Sequence, residues 1–434
     1  MKQTQTVRGG LHLIRPGARV DRLEIFFDLV FVFAFYNIAR VTAGELTGHG
    51  LIAGMLVLAL LWWAWCSHMV LANRIRLGEG VAPLVMFVAM AAVFNAALAI
   101  PQAFDQRSGG PPGPLLLAGC YLVIRGLHVA LYWMASAGDP AGHPPLRLLV
   151  APPLTAVALL VGAGLVPYIG YSDGTAFALQ VGLWLAALTV EYAVGYVLAG
   201  WGWAVLSANH WVERFELILM IALGELLVSI GVGSDLIDRP VTWPAVLGAS
   251  FAVAITAALW WTYFDLVAPA AIQAFHATAQ GRPRTTLARD AYVFLHLPMI
   301  AGLILTALGI ERVLNHLGTP STGPGEPVAD LAVPLAYGGV GLYLLAHLGF
   351  QLRTLGTVTG TRIAAIVVLA AAIPVADRVP AMIGLGMLAA ICVLLVVGEL
   401  LLLGGSRRLL RESALRERLT HEARESARRR RRYQ

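Results

Sequence analysis

Residues 50–72 read GLIAGMLVLALLWWAWCSHMVLA. No Asp, Glu, Lys or Arg interrupts the run. A helix needs roughly 20 apolar residues to cross the hydrocarbon core of a bilayer, and this stretch supplies them. The same reading, carried outward, gives twelve runs: 24–43, 50–72, 81–100, 113–136, 148–167, 175–199, 213–233, 243–266, 290–310, 331–350, 362–377 and 380–404. The last two form a tight pair around Asp377-Arg378-Val379-Pro380, and run 148–167 carries Pro152-Pro153 near its start, where proline is best tolerated. Composition agrees. Of 434 residues, 58% are hydrophobic and 13% charged, and mean hydropathy is +0.73. Soluble domains carry about 25% charged residues. The sequence therefore predicts an all-α polytopic membrane protein with about 12 transmembrane helices and excludes most soluble-enzyme classes.

Charge distribution predicts orientation. The chain has 31 basic residues, of which Lys2 alone is lysine. With the N-terminus placed in the cytoplasm, 25 count with the inner segments (Arg214 and Arg362, at the inner edges of their runs, among them), 4 with outer loops (Arg107, Arg239, Arg312 and Arg378) and 2 lie deeper within runs (Arg40 and Arg125). Cytoplasmic loops are enriched in Arg and Lys, so both termini are expected in the cytoplasm. The polar start leads into a run containing Glu24 and Asp28, with no small-residue cleavage site. That run is expected to stay as the first span. Cys66, Cys120 and Cys392 are scattered in apolar runs without CxxC spacing, which predicts neither a disulfide framework nor a thiolate metal site.

The halves of the chain share a pattern. Val20-Asp21-Arg22-Leu23-Glu24 matches Val212-Glu213-Arg214-Phe215-Glu216. Trp62-Trp63-Ala64-Trp65 matches Trp260-Trp261-Thr262-Tyr263, Tyr121-Leu122…Arg125 matches Tyr343-Leu344…His347, and Glu191 has a counterpart in Glu399. The common order predicts two parallel six-helix repeats, an architecture used by transporters with sites at the repeat interface. The expected organisation is a basic N-terminus (1–23), a first repeat (24–205), a second repeat (206–405) and an Arg-rich tail (406–434).

Two segments go beyond composition: Asp21-Arg22-Leu23-Glu24-Ile25-Phe26-Phe27-Asp28-Leu29-Val30-Phe31-Val32-Phe33, and Trp211-Val212-Glu213-Arg214-Phe215-Glu216-Leu217-Ile218 continuing through Ile221-Ala222-Leu223-Gly224-Glu225. With Trp260-Trp261-Thr262-Tyr263-Phe264-Asp265 and Leu295-His296-Leu297-Pro298, they resemble the bacterial low-temperature-requirement A family across nearly the whole membrane portion. The resemblance implies a multi-span inner-membrane protein linked in name to growth in the cold, and no defined activity. Arg22-x-x-x-Phe26-Phe27-Asp28 is also similar to the Arg-x-x-x-Phe-Ser-Asp opening of a six-plus-six-span potassium channel family of lysosomes and bacteria. Phe27 replaces the serine, and Ile218-Leu219-Met220 stands where the second half would repeat the pattern. This likeness implies an ion pathway.

Charged side chains inside a bilayer cost at least ~2.5–3.5 kcal/mol on insertion scales and usually face a cavity or a partner. Glu225 and Arg125 each fall about twelve residues into their runs, near the midplane, with His128 one turn beyond Arg125. A Glu225–Arg125 pair is the expectation. Glu24 and Asp28 are four apart and share a helix face. Glu216 occupies the place matching Glu24, and helix-dipole contacts or pairing with Arg22 or Arg214 are the structural alternative for both. Glu191 and Glu399 fall in inner halves of their runs. Counted this way, the acids Glu24, Asp28, Glu191, Glu216, Glu225 and Glu399 outnumber Arg40 and Arg125. The surplus must protonate, meet water or meet a cation.

Other chemistry is not indicated. No His-x-x-x-His or Glu-x-x-His spacing marks a metal centre, and no Walker, GxGxxG, GxSxG or HExxH motif marks an enzyme. No cofactor is expected. Trp62, Trp63, Trp260 and Trp261 suit an aromatic lining or an interfacial belt. Arg428, Arg429, Arg430, Arg431 and Arg432 form a basic run suited to anionic lipid headgroups, with nucleic acid not expected. The function expected is a secondary transporter or ion or proton pathway using Glu225, Arg125, Asp28, Glu24, His128, Glu191, Glu216 and Glu399, its solute or ion unspecified. The rival is a membrane stress-response, signalling or scaffold protein, in which the tail and loops matter more than the midplane charges.

Overall fold

In a computed structural model of the chain, residues 6–7, 11–14, 17–44, 48–104, 112–136, 145–198, 205–233, 242–318 and 331–402 are described. The tail, including Arg428–Arg432, and the outer-loop residues Arg107 and Arg239 lie outside the described residues. The apolar runs are helices. The first six are α1 (Arg22–Gly44), α2 (Gly48–Ala72), α3 (Ala82–Ala99), α4 (Gly113–Ser136), α5 (Leu146–Leu165) and α6 (Asp173–Leu198). Then come α7 (Ala208–Gly233), α8 (Trp243–Phe264), α9 (Val267–Ala277), α10 (Arg282–Leu287), α11 (Leu295–Gly318), α12 (Ala332–Leu355), α13 (Gly360–Ala376) and α14 (Ala381–Leu402). Among the described residues, eleven helical stretches are long and apolar enough to cross a membrane, and α13 is a shorter apolar helix of 17 residues.

Three details depart from the sequence reading. Pro152 and Pro153 lie inside α5, because the helix begins at Leu146. The ninth run starts earlier than 290: α10 leads through a π-helical turn, Ala288–Phe294, into α11. The N-terminal segment carries a two-residue antiparallel ladder, Thr6–Val7 on Leu11–His12. Beyond it the Ile14 amide donates to the Arg74 carbonyl (3.0 Å) and the Arg76 amide to the His12 carbonyl (2.8 Å). The same segment reaches α7. The Ser207 hydroxyl donates to the Ala18 carbonyl (3.0 Å), and the Val20 amide to Glu213 Oε2 (3.2 Å). It therefore ties the α2–α3 connection to the start of α7 at the end of the bundle where α1 begins.

Packing follows two similar adjacency schemes. In the first half α1 lies on α2 and α3, α3 on α4, α4 on α5, α5 on α6, and α2 on α6. In the second half α7 lies on α8 and α11, α11 on α12, α12 on α13, α13 on α14, and α8 on α14. The halves meet along α1 and α7, with α11 against α1 and α2.

The α11–α12 contact is the tightest helix pair. A Cβ on Gly302 would lie 2.6 Å from the Gly339 carbonyl oxygen, one on Gly309 2.3 Å from the Ala336 amide nitrogen, and one on Gly339 2.5 Å from the Thr306 amide nitrogen. Backbones thus touch where side chains would otherwise stand, as small residues permit between membrane helices. Gly338, next in line, faces open space. Gly339→Val should destabilise the protein by about 3 kcal/mol or more, the upper range for overpacking. Gly338→Val should cost much less. Thermal unfolding of both variants in the same detergent checks this.

Candidate functional site

Buried charge gathers in the seam between the halves. Glu24 and Asp28 sit one turn apart on α1, and His210 and Arg214 one turn apart on α7, so two i,i+4 pairs face each other. Arg214 Nη2 donates to Asp28 Oδ1 (2.7 Å), and Arg214 Nη1 to Glu24 Oε2 (3.3 Å). His210 Nε2 meets Glu24 Oε2 at 2.7 Å. From α2, Trp65 Nε1 donates to Asp28 Oδ1 (2.7 Å), and the Arg214 guanidinium lies 5.7 Å from the Trp65 ring centroid. All four ionisable residues are buried, with Asp28 fully enclosed. Asp28 Oδ2 and Arg214 Nε have no hydrogen-bond partner among the described residues.

A guanidinium–carboxylate pair lies inside each half. In the first, Arg125 on α4 grips Glu191 on α6: Nε to Oε1 at 3.1 Å and Nη2 to Oε2 at 2.8 Å. Trp63 Nε1 and the Tyr121 hydroxyl each add a 2.8 Å bond to Glu191. Arg125 Nη1 also donates to Ser67 Oγ and to His128 Nδ1 (3.2 Å). Gly195 makes room for Trp63, because a Cβ there would lie 2.1 Å from the indole. In the second half, Arg362 on α13 grips Glu399 on α14: Nε to Oε1 at 2.6 Å and Nη2 to Oε2 at 3.2 Å. Its Nη1 donates to His347 Nδ1 (2.6 Å) and its Nη2 to the Thr262 carbonyl (2.9 Å). Since arginine only donates, His128 and His347 both present a lone pair at Nδ1 and carry their proton on Nε2.

The expected Glu225–Arg125 pair does not form. Arg125 is taken by Glu191, which is reached from α6. Because α7 begins at Ala208, Glu225 lies about 25 Å along it at 1.5 Å per residue, towards the Gly233 end. There Glu225 accepts from Ser229 and lies within electrostatic reach of Glu311 on α11. Glu311 packs so closely on Gly233 that a Cβ would meet its carboxyl group. The acid surplus also shrinks. Arg214 and Arg362, counted with the inner segments because they open their runs, are buried helix residues at 1% exposure, while Arg40 is exposed.

The remaining candidates are dispersed. Glu216 is half-buried on α7, within electrostatic reach of Tyr263 and Tyr292. Trp62 donates to the Val293 carbonyl of the π-turn (2.9 Å). Trp260 is 38% exposed and stacks on Phe264, so it lines no interior space, and Trp261 is half-buried. Sequence reading missed His210, Asn73 and Arg362. The His210-x-x-x-Arg214 spacing, facing Glu24-x-x-x-Asp28, was the available signal. Among the described residues no group of three His, Cys, Asp or Glu side chains is placed to hold a metal ion.

This is a polytopic all-helical membrane protein with ion-paired charges buried between its helices. Residues 19–397 match the family model of the bacterial low temperature requirement A protein, so the chain belongs to that family. It is also similar to an uncharacterized protein of Rhizobium meliloti (strain 1021), with 30% identity over 314 residues covering 68% of this chain and 70% of the relative. It is thus a multi-pass bacterial membrane protein.

Breaking a buried ion pair by removing one partner costs about 3–5 kcal/mol, whereas replacing both partners with apolar groups is far milder. Glu399→Leu should therefore destabilise severely, and adding Arg362→Met should recover part of the loss. A double-mutant cycle on unfolding in detergent reads the coupling.

Proposed function

We propose that the protein is a secondary transporter or an ion or proton pathway, built as two parallel six-helix repeats and not an enzyme, that works through buried carboxylates. The observation that carries this reading is the seam, where Glu24 and Asp28 share one guanidinium, Arg214, across the α1–α7 contact. Charge placed where two packed units meet responds to any movement of one unit against the other. The matching adjacency schemes of the two halves support the repeat. Glu225 is the second working residue, a buried acid with a hydroxyl and no cation at ion-pair distance among the described residues. Arg125, Glu191, His128 and Glu399 brace the halves, and Glu216 lies within electrostatic reach of Tyr263 and Tyr292. In this reading the transported species is an ion or small solute, and Arg428–Arg432 meet anionic lipid. The 25-to-4 arginine and lysine asymmetry supports cytoplasmic termini in the inner membrane.

Reconstituted protein should carry ion or proton flux, read with pH- and voltage-sensitive dyes in proteoliposomes. Asp28→Asn and Glu225→Gln should each lower it by about tenfold or more, equivalent to ~1.4 kcal/mol. Folded protein that passes no ion under any gradient would favour the stress-response or scaffold reading. A reporter fused after Gln434 should be active only in its cytoplasmic form.

A further inference from the structure

We propose that the seam stores one exchangeable proton on the Asp28 carboxyl group, at the oxygen that faces away from Arg214. The proposal rests on the transport reading above and names the ion its seam would handle.

Asn73 directly follows α2. Its Oδ1 accepts from the backbone amides of Leu206 (2.8 Å) and Ser207 (3.3 Å). Two donors at one end fix the amide orientation. The Nδ2 end therefore points at the Ser207 carbonyl (2.8 Å) and at His210 Nδ1 (3.2 Å). A histidine nitrogen that faces an N–H donor must offer a lone pair. His210 then has its single proton on Nε2, which donates to Glu24 Oε2. The imidazole is neutral and adds no positive charge to the seam.

The seam holds two carboxyl groups and one guanidinium, which leaves one negative charge unbalanced if both acids are ionised. The two acids are not equivalent. Glu24 uses both oxygens, with Oε1 accepting from the Asp21 amide (3.4 Å) and Oε2 from His210 and Arg214. Asp28 takes both of its donors, Arg214 and Trp65, on Oδ1, while Oδ2 is buried without a partner among the described residues. An uncompensated buried charge is far costlier than a neutral polar group. The excess charge is therefore removed most cheaply at Oδ2.

Among the described residues the neighbours leave no other compensation. On α1 itself the charged neighbour is Glu24, and α7 supplies Arg214 and the neutral His210. From α2 come Trp65 and His68, the latter stacked on Phe27 at 5.1 Å with its Nδ1 on the Ala64 carbonyl. Helix α3 has no ionisable side chain, and His296, Glu311, Arg312 and His316 of α11 form no ion pair with Asp28. A metal cation is disfavoured because it needs several oxygen ligands, and the site offers one free carboxyl oxygen. A proton needs only that one.

Infrared spectroscopy of the full chain in lipid membranes tests this directly. A carbonyl stretch of a protonated carboxylic acid should be present at neutral pH, vanish in Asp28→Asn and persist in Glu225→Gln. Raising the pH should abolish it reversibly. Trp65→Phe, which removes a donor to Oδ1 and keeps the acid, should shift the same band without removing it, and covers the case in which Asp28→Asn does not fold. An Asp28→Asn spectrum that retains the full band, or a sodium- or potassium-dependent stabilisation that Asp28→Asn loses, overturns the proposal. If the band is Asp28-dependent and the liposomes show no flux, the stored proton stands and the transport reading fails. Flux without the band leaves transport and removes the proton.

Discussion

A guanidinium inside a helical bundle needs a carboxylate within reach, and three arginines impose that demand here. Arg125, Arg214 and Arg362 are buried on α4, α7 and α13, and each is held by an acid from a different helix. Dispersion forces between apolar helices tolerate sliding and rotation. A buried ion pair does not, because a small displacement leaves an uncompensated charge in a medium of low dielectric. The three pairs therefore fix helix register where the apolar surfaces leave it loose. The glycine contacts of α11 and α12 do the same by shape.

The three sites differ in how completely they are satisfied. Glu191 receives a bidentate arginine, an indole and a phenol, so both of its oxygens are used. Glu399 receives a bidentate arginine alone, and that arginine is further anchored by His347 and a backbone carbonyl. The seam has more acid than base and, among the described residues, leaves Asp28 Oδ2 and Arg214 Nε unpartnered. It is also the site that spans the two halves.

The sequence reading and the structure part company at the helix ends. A hydropathy run starts where apolar residues become dense, but a helix starts where its backbone hydrogen bonds start. α7 begins at Ala208 behind Ser207, whose carbonyl accepts from the Trp211 amide, and α13 begins at Gly360. The extra turn carries His210 into the interior, and Arg214 and Arg362, which open their runs, are buried helix residues and not edge charges. Counting those two arginines with the inner segments inflated the acid surplus. The π-turn before α11 and the N-terminal tie to α7 involve no hydropathy signal and were invisible for the same reason.

The sequence by itself determined the class of fold. Twelve apolar runs, few charges and the order of the motifs around Glu24 and Glu216 were enough for an all-helical membrane protein of this family, because burial of apolar residues in lipid depends on composition over about 20 residues and not on neighbours. It also placed Asp28, Glu191 and Glu399 correctly among the buried acids. Which base meets which acid was decided by tertiary structure alone. Arg125 and Glu191 are 66 positions apart, and Arg214 and Asp28 186 apart. Pairing over such separations is set by which helix faces pack together, and one residue of rotation would exchange every partner.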